Sequence, residues 1–450
     1  MIKEKHIEEL DNSAVKLSVT IEQKEAKNAY TDLLKTYAKK AQIKGFRPGK
    51  VPTSILETKF GESMKMETAQ NLIEKALGTL FQEIDQRPLH YSTPQLESDL
   101  AFDPEKDFSF TVAYDVFPKV EVKESTGFTV EEPQVSVGKE DIQRELQSLQ
   151  EQNAIVAEKN DVPAAKDHIV TVNFVELDET GAEKDGTQRE DFSFTIGSGY
   201  NTYKIDDDVI GMNVGDEKTI TKTYQEDDEN KELAGKTVTL KITLTKVKVR
   251  DLPELDDELA QDIDDKFETL ADLKKDIETR LKESAQAKVR ETKINALVDA
   301  LVEKNPVSLP QSMVQAELDA HWQNFLRQFG GNEGLVLQVL QAQGSSKETL
   351  YDEWRPAAEK RLKGQLIVQK LIEEQEIEAT EDEVAQEITK QAEGSSMSEE
   401  ETREYFEKNN LLDYLRHDIK ERKLFDKLLE SNTVKKGKKV KFLDLMQQNQ

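Results

Sequence analysis

The chain has 450 residues, of which 62 are basic and 90 acidic, a formal charge of -28 at pH 7 and a mean hydropathy of -0.70. At that length the chain is too long for one core and about three domains are expected; a hydrophobic share of 36% is low for a compact globule and too high for a disordered chain, and the acidity argues against general nucleic-acid binding apart from one local basic loop. With no cysteine, disulfides and thiolate chemistry are excluded; five histidines without close pairing argue against a zinc site, and neither a metal nor any other cofactor is expected. The first residues hold no apolar signal core and no stretch is long enough to span a bilayer, which points to the cytoplasm.

Residues 1–115 read as an α+β unit. Residues 14–21 alternate apolar and polar, as a half-buried strand does. The run 24–40 places Ala26, Tyr30, Leu33, Leu34 and Tyr37 on one helical face. Between Lys35 and Lys50 stand six basic residues (Lys35, Lys39, Lys40, Lys44, Arg47, Lys50) and no acidic one, a local reversal of the chain's charge. Gly45 and Gly49 permit backbone angles that other residues avoid, and Pro48 and Pro52 stiffen the chain, so this loop offers Phe46 and Arg47 outward. A cationic tip with an aromatic anchor suits an anionic, partly apolar partner such as a ribonucleoprotein surface. A plain connecting loop with solvated lysines is the competing reading. Residues 52–56 open another helix, 64–84 continue as a helical run, and 108–114 alternate again and should pair with the first strand. The basic loop is therefore expected between two helices that rest on a small sheet.

Residues 116–161 look like a linker, with a strand-like piece at 128–130 and a polar helix at 139–152. That helix lines up Ile142, Leu146 and Leu149, so it should lean on another domain. Residues 162–250 change to short strands (169–174, 192–196, 218–221, 238–244) separated by glycine and aspartate turns, the pattern of an antiparallel β-rich domain. An acidic hinge, 251–258, follows and is broken by Pro253. From about residue 269 to 431 nearly everything has helical period. Thr269 with Asp272, Ser345 with Glu348, Thr380 with Glu383 and Ser398 with Glu401 are spaced as capping boxes. Asn305-Pro306 should end one helix, Pro310 begin the next, Gly330-Gly331 stop it, and Pro356 kink a later one. Most of the apolar stripes should bury one another. Met313, Trp322, Phe325 and Phe329 are the candidates for an open surface that holds unfolded chains, because methionine and aromatics adapt to varied partners. The lysines at 435, 436, 438 and 439 read as a solvated run, and Phe442, Leu443 and Leu445 as a docking strand or turn.

Gly45-Phe46-Arg47-Pro48-Gly49-Lys50-Val51-Pro52 resembles the ribosome-docking signature of bacterial trigger factor, with Pro48 where the family often has lysine. The resemblance continues through the chain in family order. Val172-Asn173-Phe174, Asp185-Gly186, Ile196-Gly197-Ser198-Gly199, the phrase Gly211 to Asp216 and Leu233-Ala234-Gly235-Lys236 are similar to its FKBP-type prolyl isomerase domain. Leu252-Pro253-Glu254-Leu255-Asp256-Asp257-Glu258 is like the family's junction before its helical C-terminal part. The resemblance implies a multidomain α+β protein with a ribosome-binding α+β domain (1–115), a linker (116–161), an FKBP-like domain (162–250) and a helical chaperone domain (251–450). It implies docking by Gly45, Phe46, Arg47, Pro48, Gly49 and Lys50 on the large ribosomal subunit near the exit tunnel, on protein and rRNA, and holding of nascent and unfolded polypeptides. No membrane partner is implied, and the free protein would form a homodimer. No Gly-rich phosphate loop is present, in keeping with action without ATP.

The same resemblance implies prolyl isomerase activity with Phe174 and Tyr224 as walls of an apolar site. Around them the chain departs from the family pattern. Its Ile-Pro-Gly-Phe-Glu run is replaced at 200–208, where Thr202 and Ile205 take the places of the isoleucine and the phenylalanine. Its Phe-Pro-Glu segment becomes Tyr224-Gln225-Glu226, followed by Asp227 and Asp228. Polar groups in such a wall admit water, so a weakened isomerase is expected. The rival reading is a dedicated prolyl isomerase whose other domains only recruit protein substrates.

Overall fold

The computed structural model describes residues 2–41, 46, 51–199, 201–226, 230–231, 233–394 and 397–447. In chain order the elements are β1 (Ile2–Glu9), β2 (Ala14–Ile21), α1 (Gln23–Lys40), α2 (Thr53–Glu83), β3 (Gln95–Leu96), β4 (Phe108–Asp115), β5 (Thr129–Ser136), α3 (Lys139–Gln152), β6 (Ile155–Glu158), β7 (Ile169–Leu177), β8 (Arg189–Thr195) and α4 (Asp206–Val209). They continue with β9 (Glu217–Thr223), β10 (Thr237–Asp251), α5 (Asp257–Ile263), α6 (Leu270–Lys304), α7 (Gln311–Gln328), α8 (Glu333–Ala342), α9 (Lys347–Glu374), α10 (Glu381–Glu393), α11 (Glu399–Lys408), α12 (Leu412–Ser431), β11 (Thr433–Lys441) and α13 (Phe442–Gln447). The chain divides into two compact units, Met1–Glu132 with Glu291–Gly437, and Pro133–Arg290 with Lys438–Gln450.

In the first unit β1, β2, β4 and β3 form a four-stranded sheet in that order, and β2 pairs antiparallel with β4 from Ala14↔Asp115 to Ile21↔Phe108. The alternation read from the sequence becomes alternating burial. Val15, Leu17, Val19 and Ile21 point to the core beside Phe108, Phe110, Val112 and Tyr114. Helices α1 and α2 close that core with Ala26, Tyr30, Leu34, Leu56, Met64, Leu72 and Leu80. The two helical runs expected after the basic loop are one helix, because Gly61 costs only about 1 kcal/mol in a helix interior and does not break it. The edge strand β1, Ile-Lys-Glu-Lys-His-Ile-Glu-Glu, was invisible as a strand because it is charged on both faces, a composition that protects a sheet edge.

The helical part of this unit has its own core, built on Leu297, Leu301, Leu318, Trp322, Ile367 and Leu424. The segment leading to β5 is fastened to it by the fully buried Asn305. The Asn305 Oδ1 accepts from the N–H of Lys123 (2.8 Å) and of Glu124 (3.1 Å), while its Nδ2 donates to the carbonyls of Glu124 and Leu301 at 2.8 Å. Three of the four capping pairs form: Thr269 with Asp272, Thr380 with Glu383 and Ser398 with Glu401. The fourth shifts by one residue. Ser345 N–H is used to close the end of α8 on the Leu340 carbonyl at 2.9 Å, so Ser346 becomes the cap of α9 and accepts from Thr349 N–H. Helix α9 is assigned without interruption through Pro356.

In the second unit β10 is the long central strand. β7 lies along one side of it, and β9 and then β6 pair along the other, with β8 outside β7. Val170, Val172, Phe174, Leu240, Ile242 and Leu244 fill its core. Helix α3 is packed as its apolar stripe required, with Leu146 buried among Ala260, Phe267, Leu273 and Ile277. The lysines at 435, 436, 438 and 439 are exposed, as expected of a solvated run, and residues 433–441 that carry them form β11, which pairs with β5. The expected docking turn after it is the short helix α13, with Phe442 and Leu445 buried.

Candidate functional site

The basic loop is held at both ends. Helix α1 ends with Ala41 N–H bonded to the Tyr37 carbonyl at 2.7 Å, and Lys39 and Lys40 occupy its last turn, where the helix dipole favours cations. Tyr37 Oη donates to Glu67 Oε2 at 2.6 Å and ties the end of α1 to α2. On the far side Val51 is only 4% exposed and sits in the sheet core, and the Pro52 carbonyl accepts from Ile55 and Leu56 to start α2. Phe46 is 40% exposed, a large apolar ring left in water. Gly45, Arg47, Pro48, Gly49 and Lys50 lie outside the described residues.

In the β-rich unit Phe174 on β7 packs edge-on against Phe192 at 5.6 Å and against Tyr203 at 5.3 Å between ring centres. Tyr224 is buried, and its hydroxyl donates to the Tyr203 carbonyl at 2.9 Å. Sequence reasoning singled out Phe174 and Tyr224 and passed over Tyr203, which touches both. Its place just after the Gly197-Ser198-Gly199 turn was the available signal. The Tyr203 hydroxyl donates to Glu176 Oε1 at 2.8 Å; burial, and then that bond to a carboxylate, push its pKa up to about 12. Thr202 is exposed, while Ile205 is buried in the domain core. The loop between them is braced by Asn201, whose Oδ1 accepts from Ile205 N–H at 2.7 Å, and by Asp206, which accepts from Gly197 N–H at 2.8 Å. Tyr200, Asp227 and Asp228 lie outside the described residues. The aromatic group is therefore an apolar patch with a tyrosine hydroxyl and a carboxylate at its rim.

The four helical candidates separate by exposure. Trp322 is fully buried, with its indole N–H donating to Glu333 Oε1 at 2.9 Å and Lys347 Nζ 4.9 Å above its ring. Met313 is buried in the same core. Phe325 is half-buried, packed on Trp322 and Trp354 at 5.7 and 5.6 Å, and it touches Phe329 at 5.0 Å. Phe329, at the end of α7, is 52% exposed. Sequence reasoning missed the neighbouring helix. In α8 Val336 and Leu340 are buried, but Leu335, Leu337 and Val339 are 52, 40 and 47% exposed. A helix that is apolar beyond the face it buries has surface left to cover. Leu335 and Val339, four residues apart, lie on one flank of it.

Residues 3–149 match the family model described as bacterial trigger factor protein (TF), 160–245 the FKBP-type peptidyl-prolyl cis-trans isomerase model, and 269–430 the bacterial trigger factor protein (TF) C-terminus. The trigger factor of Treponema denticola is 44% identical over 98% of this chain and 99% of its own length. Those of Borrelia turicatae and Treponema pallidum are each 36% identical, over 99 and 98% of this chain and 99 and 97% of their own. A solved structure reported under "Promiscuous Substrate Recognition in Folding and Assembly Activities of the Trigger Factor Chaperone" is similar with a TM-score of 0.47 at 24% identity, covering 94% of this chain and 99% of that one. These matches make this chain a ribosome-associated chaperone carrying an FKBP-type domain. The chain belongs to the trigger factor family. Among the described residues no helix is long and apolar enough to cross a membrane.

Proposed function

We propose that the protein docks beside the exit tunnel of the large ribosomal subunit, on ribosomal protein and rRNA, through Phe46 flanked by Gly45, Arg47, Pro48, Gly49 and Lys50, and holds emerging chains without ATP. The observation that carries this reading is Phe46, 40% exposed on a loop whose exit residue Val51 is buried. An aromatic left in water on a braced loop gains on docking what it lacks when free. In this reading 1–115 is the docking domain, 116–161 the linker, 162–250 the isomerase-type domain and 251–450 the chaperone domain, acting in the cytoplasm, with a homodimer when off the ribosome. Clients are held on Phe329, the open edge of Phe325 and the bare flank of α8, with Met313 and Trp322 supporting that surface from the core. Co-sedimentation with ribosomes tests the docking: the wild type pellets, and the variant with Phe46, Arg47 and Pro48 changed to alanine stays in the supernatant. Equal pelleting of both would overturn it.

The FKBP-type domain acts weakly in this proposal. Rotating a prolyl bond costs about 18–20 kcal/mol because the amide loses its resonance, and a dry aromatic site lowers that barrier by favouring the less dipolar twisted amide. Phe174, Phe192 and Tyr203 supply apolar walls, but the Tyr203 hydroxyl and Glu176 carboxylate keep a polar rim that retains water. A tetrapeptide isomerisation assay on the full chain is expected to give rates well below those of other trigger factors measured beside it; equal rates would refute the weakened site.

A further inference from the structure

Tyr203 is held from three sides in the FKBP-type domain. Its ring stands edge-on to Phe174, which is itself edge-on to Phe192. Its hydroxyl donates to Glu176 Oε1, and Lys184, 3.3 Å from the other carboxylate oxygen, keeps Glu176 in place. Its carbonyl accepts from the Tyr224 hydroxyl. The next residue is fixed too. The Lys204 N–H donates to the Asn201 carbonyl at 3.0 Å, and the Lys204 carbonyl accepts from Lys222 Nζ, which also pairs with Asp208 at 2.7 Å. Lys204 has φ +51°, a left-handed conformation that a side chain makes unfavourable, so these bonds rather than local preference set the turn. Thr202 is left in water, and Tyr203 is turned in toward β7.

A wall that receives a proline ring must turn a face to water until that ring arrives. Phe174 is 7% and Tyr224 6% exposed, covered by the chain's own residues, and the residue that reaches both is Tyr203. Where the family's Ile-Pro-Gly-Phe-Glu run has its proline, this chain has the far larger Tyr203, long enough to reach Glu176. We propose that the Tyr203 ring occupies the place of a substrate proline and plugs the FKBP-type site against prolyl peptides. This rests on the reading of the aromatic group as the isomerase site, and it adds a steric cause to the polar rim. A tyrosine ring is larger than a pyrrolidine ring, so both cannot lie on Phe174 at once. The plug is a competitor built into the chain. Its edge-on ring contact and its hydrogen bond together amount to about 30-fold in occupancy, which a peptide must overcome before it binds.

The test is ligand-observed fluorine NMR of the full chain with a fluorine-labelled Ala-Leu-Pro-Phe peptide, and with Ala-Leu-Ala-Phe to subtract general client holding. Tyr203→Ala should bind the prolyl peptide about 30-fold more tightly than the wild type. Tyr203→Phe keeps the ring and removes only the hydroxyl, so it should gain about fivefold, the share of one hydrogen bond. An alanine variant with the wild-type melting curve and the wild-type affinity overturns the proposal. So does an equal gain by the phenylalanine variant, which leaves the polar rim as the whole cause. A second measurement needs no altered pocket. In wild-type protein carrying meta-fluorotyrosine, the Tyr203 signal, assigned by its loss in Tyr203→Phe, should move to the solvent-exposed range as the peptide saturates. Bound peptide beside an unmoved Tyr203 signal overturns the plug even where the alanine variant fails to fold. Wild-type isomerisation as fast as in other trigger factors refutes the weakened site itself, so the failure of one reading is told apart from the failure of the other.

Discussion

Replacing Leu335 and Val339 by serine should separate client holding from stability. Fully burying a Leu or Val side chain is worth about 1.5–3 kcal/mol. Leu335 is 52% and Val339 47% exposed, so roughly half of that, ~1 kcal/mol each, remains for a client to recover. The double variant therefore gives up about 2 kcal/mol of contact, which is about 30-fold in Kd. Neither residue belongs to the core built on Trp322, and exposed substitutions usually stay within about 0.5 kcal/mol of wild-type stability. The assay is anisotropy of a labelled, permanently unfolded polypeptide, with suppression of aggregation as a second readout and a thermal melt as control. An unchanged Kd beside an unchanged melt would refute the argument and return the client surface to another face.

Trp322→Ala should behave in the opposite way, losing about 3–5 kcal/mol of stability and lowering the melting temperature, since it empties a fully buried site and strips Glu333 of one of its donors, leaving Lys347. Gly364→Ala should cost about 1–3 kcal/mol, because the new Cβ would meet Val298 Cγ1 at 2.8 Å; adding Val298→Ala should recover most of the loss, and no recovery would contradict the overpacking account. Asn305→Ala takes the acceptor from the N–H groups of Lys123 and Glu124 and empties a fully buried position, and should cost about 1–3 kcal/mol in chemical denaturation. The bonds from Lys423 and then Thr380 lower the Glu383 pKa from the ordinary 4.5 to about 2. Its contribution is thus present above pH 4.5 and lost as the pH falls through about 2, so the stability gap between wild type and Glu383→Gln should close over that window. A gap that persists unchanged below pH 2 would exclude this cause.

Local patterns carried a large share of the architecture. The alternation at 14–21 and 108–114 gave two paired strands with their inward faces, since a period of two leaves one face to bury. The boxes at Thr380 and Ser398 marked helix starts because a side-chain cap acts within four residues. The docking phrase and its order with the later motifs pointed to the family without any coordinates. What escaped was whatever depends on a partner from elsewhere in the chain. β1 and the lysine strand β11 look like solvated segments by composition and become strands because β2 and β5 supply hydrogen bonds. Ser345 lost its capping role because its N–H was needed to end α8. An apolar stripe records that a face avoids water, not what covers it. Packing alone decided that Met313 and Trp322 are covered, that Phe329, Leu335 and Val339 are bare, and that Tyr203 joins Phe174 and Tyr224, because burial is a property of the neighbours that the rest of the chain brings up.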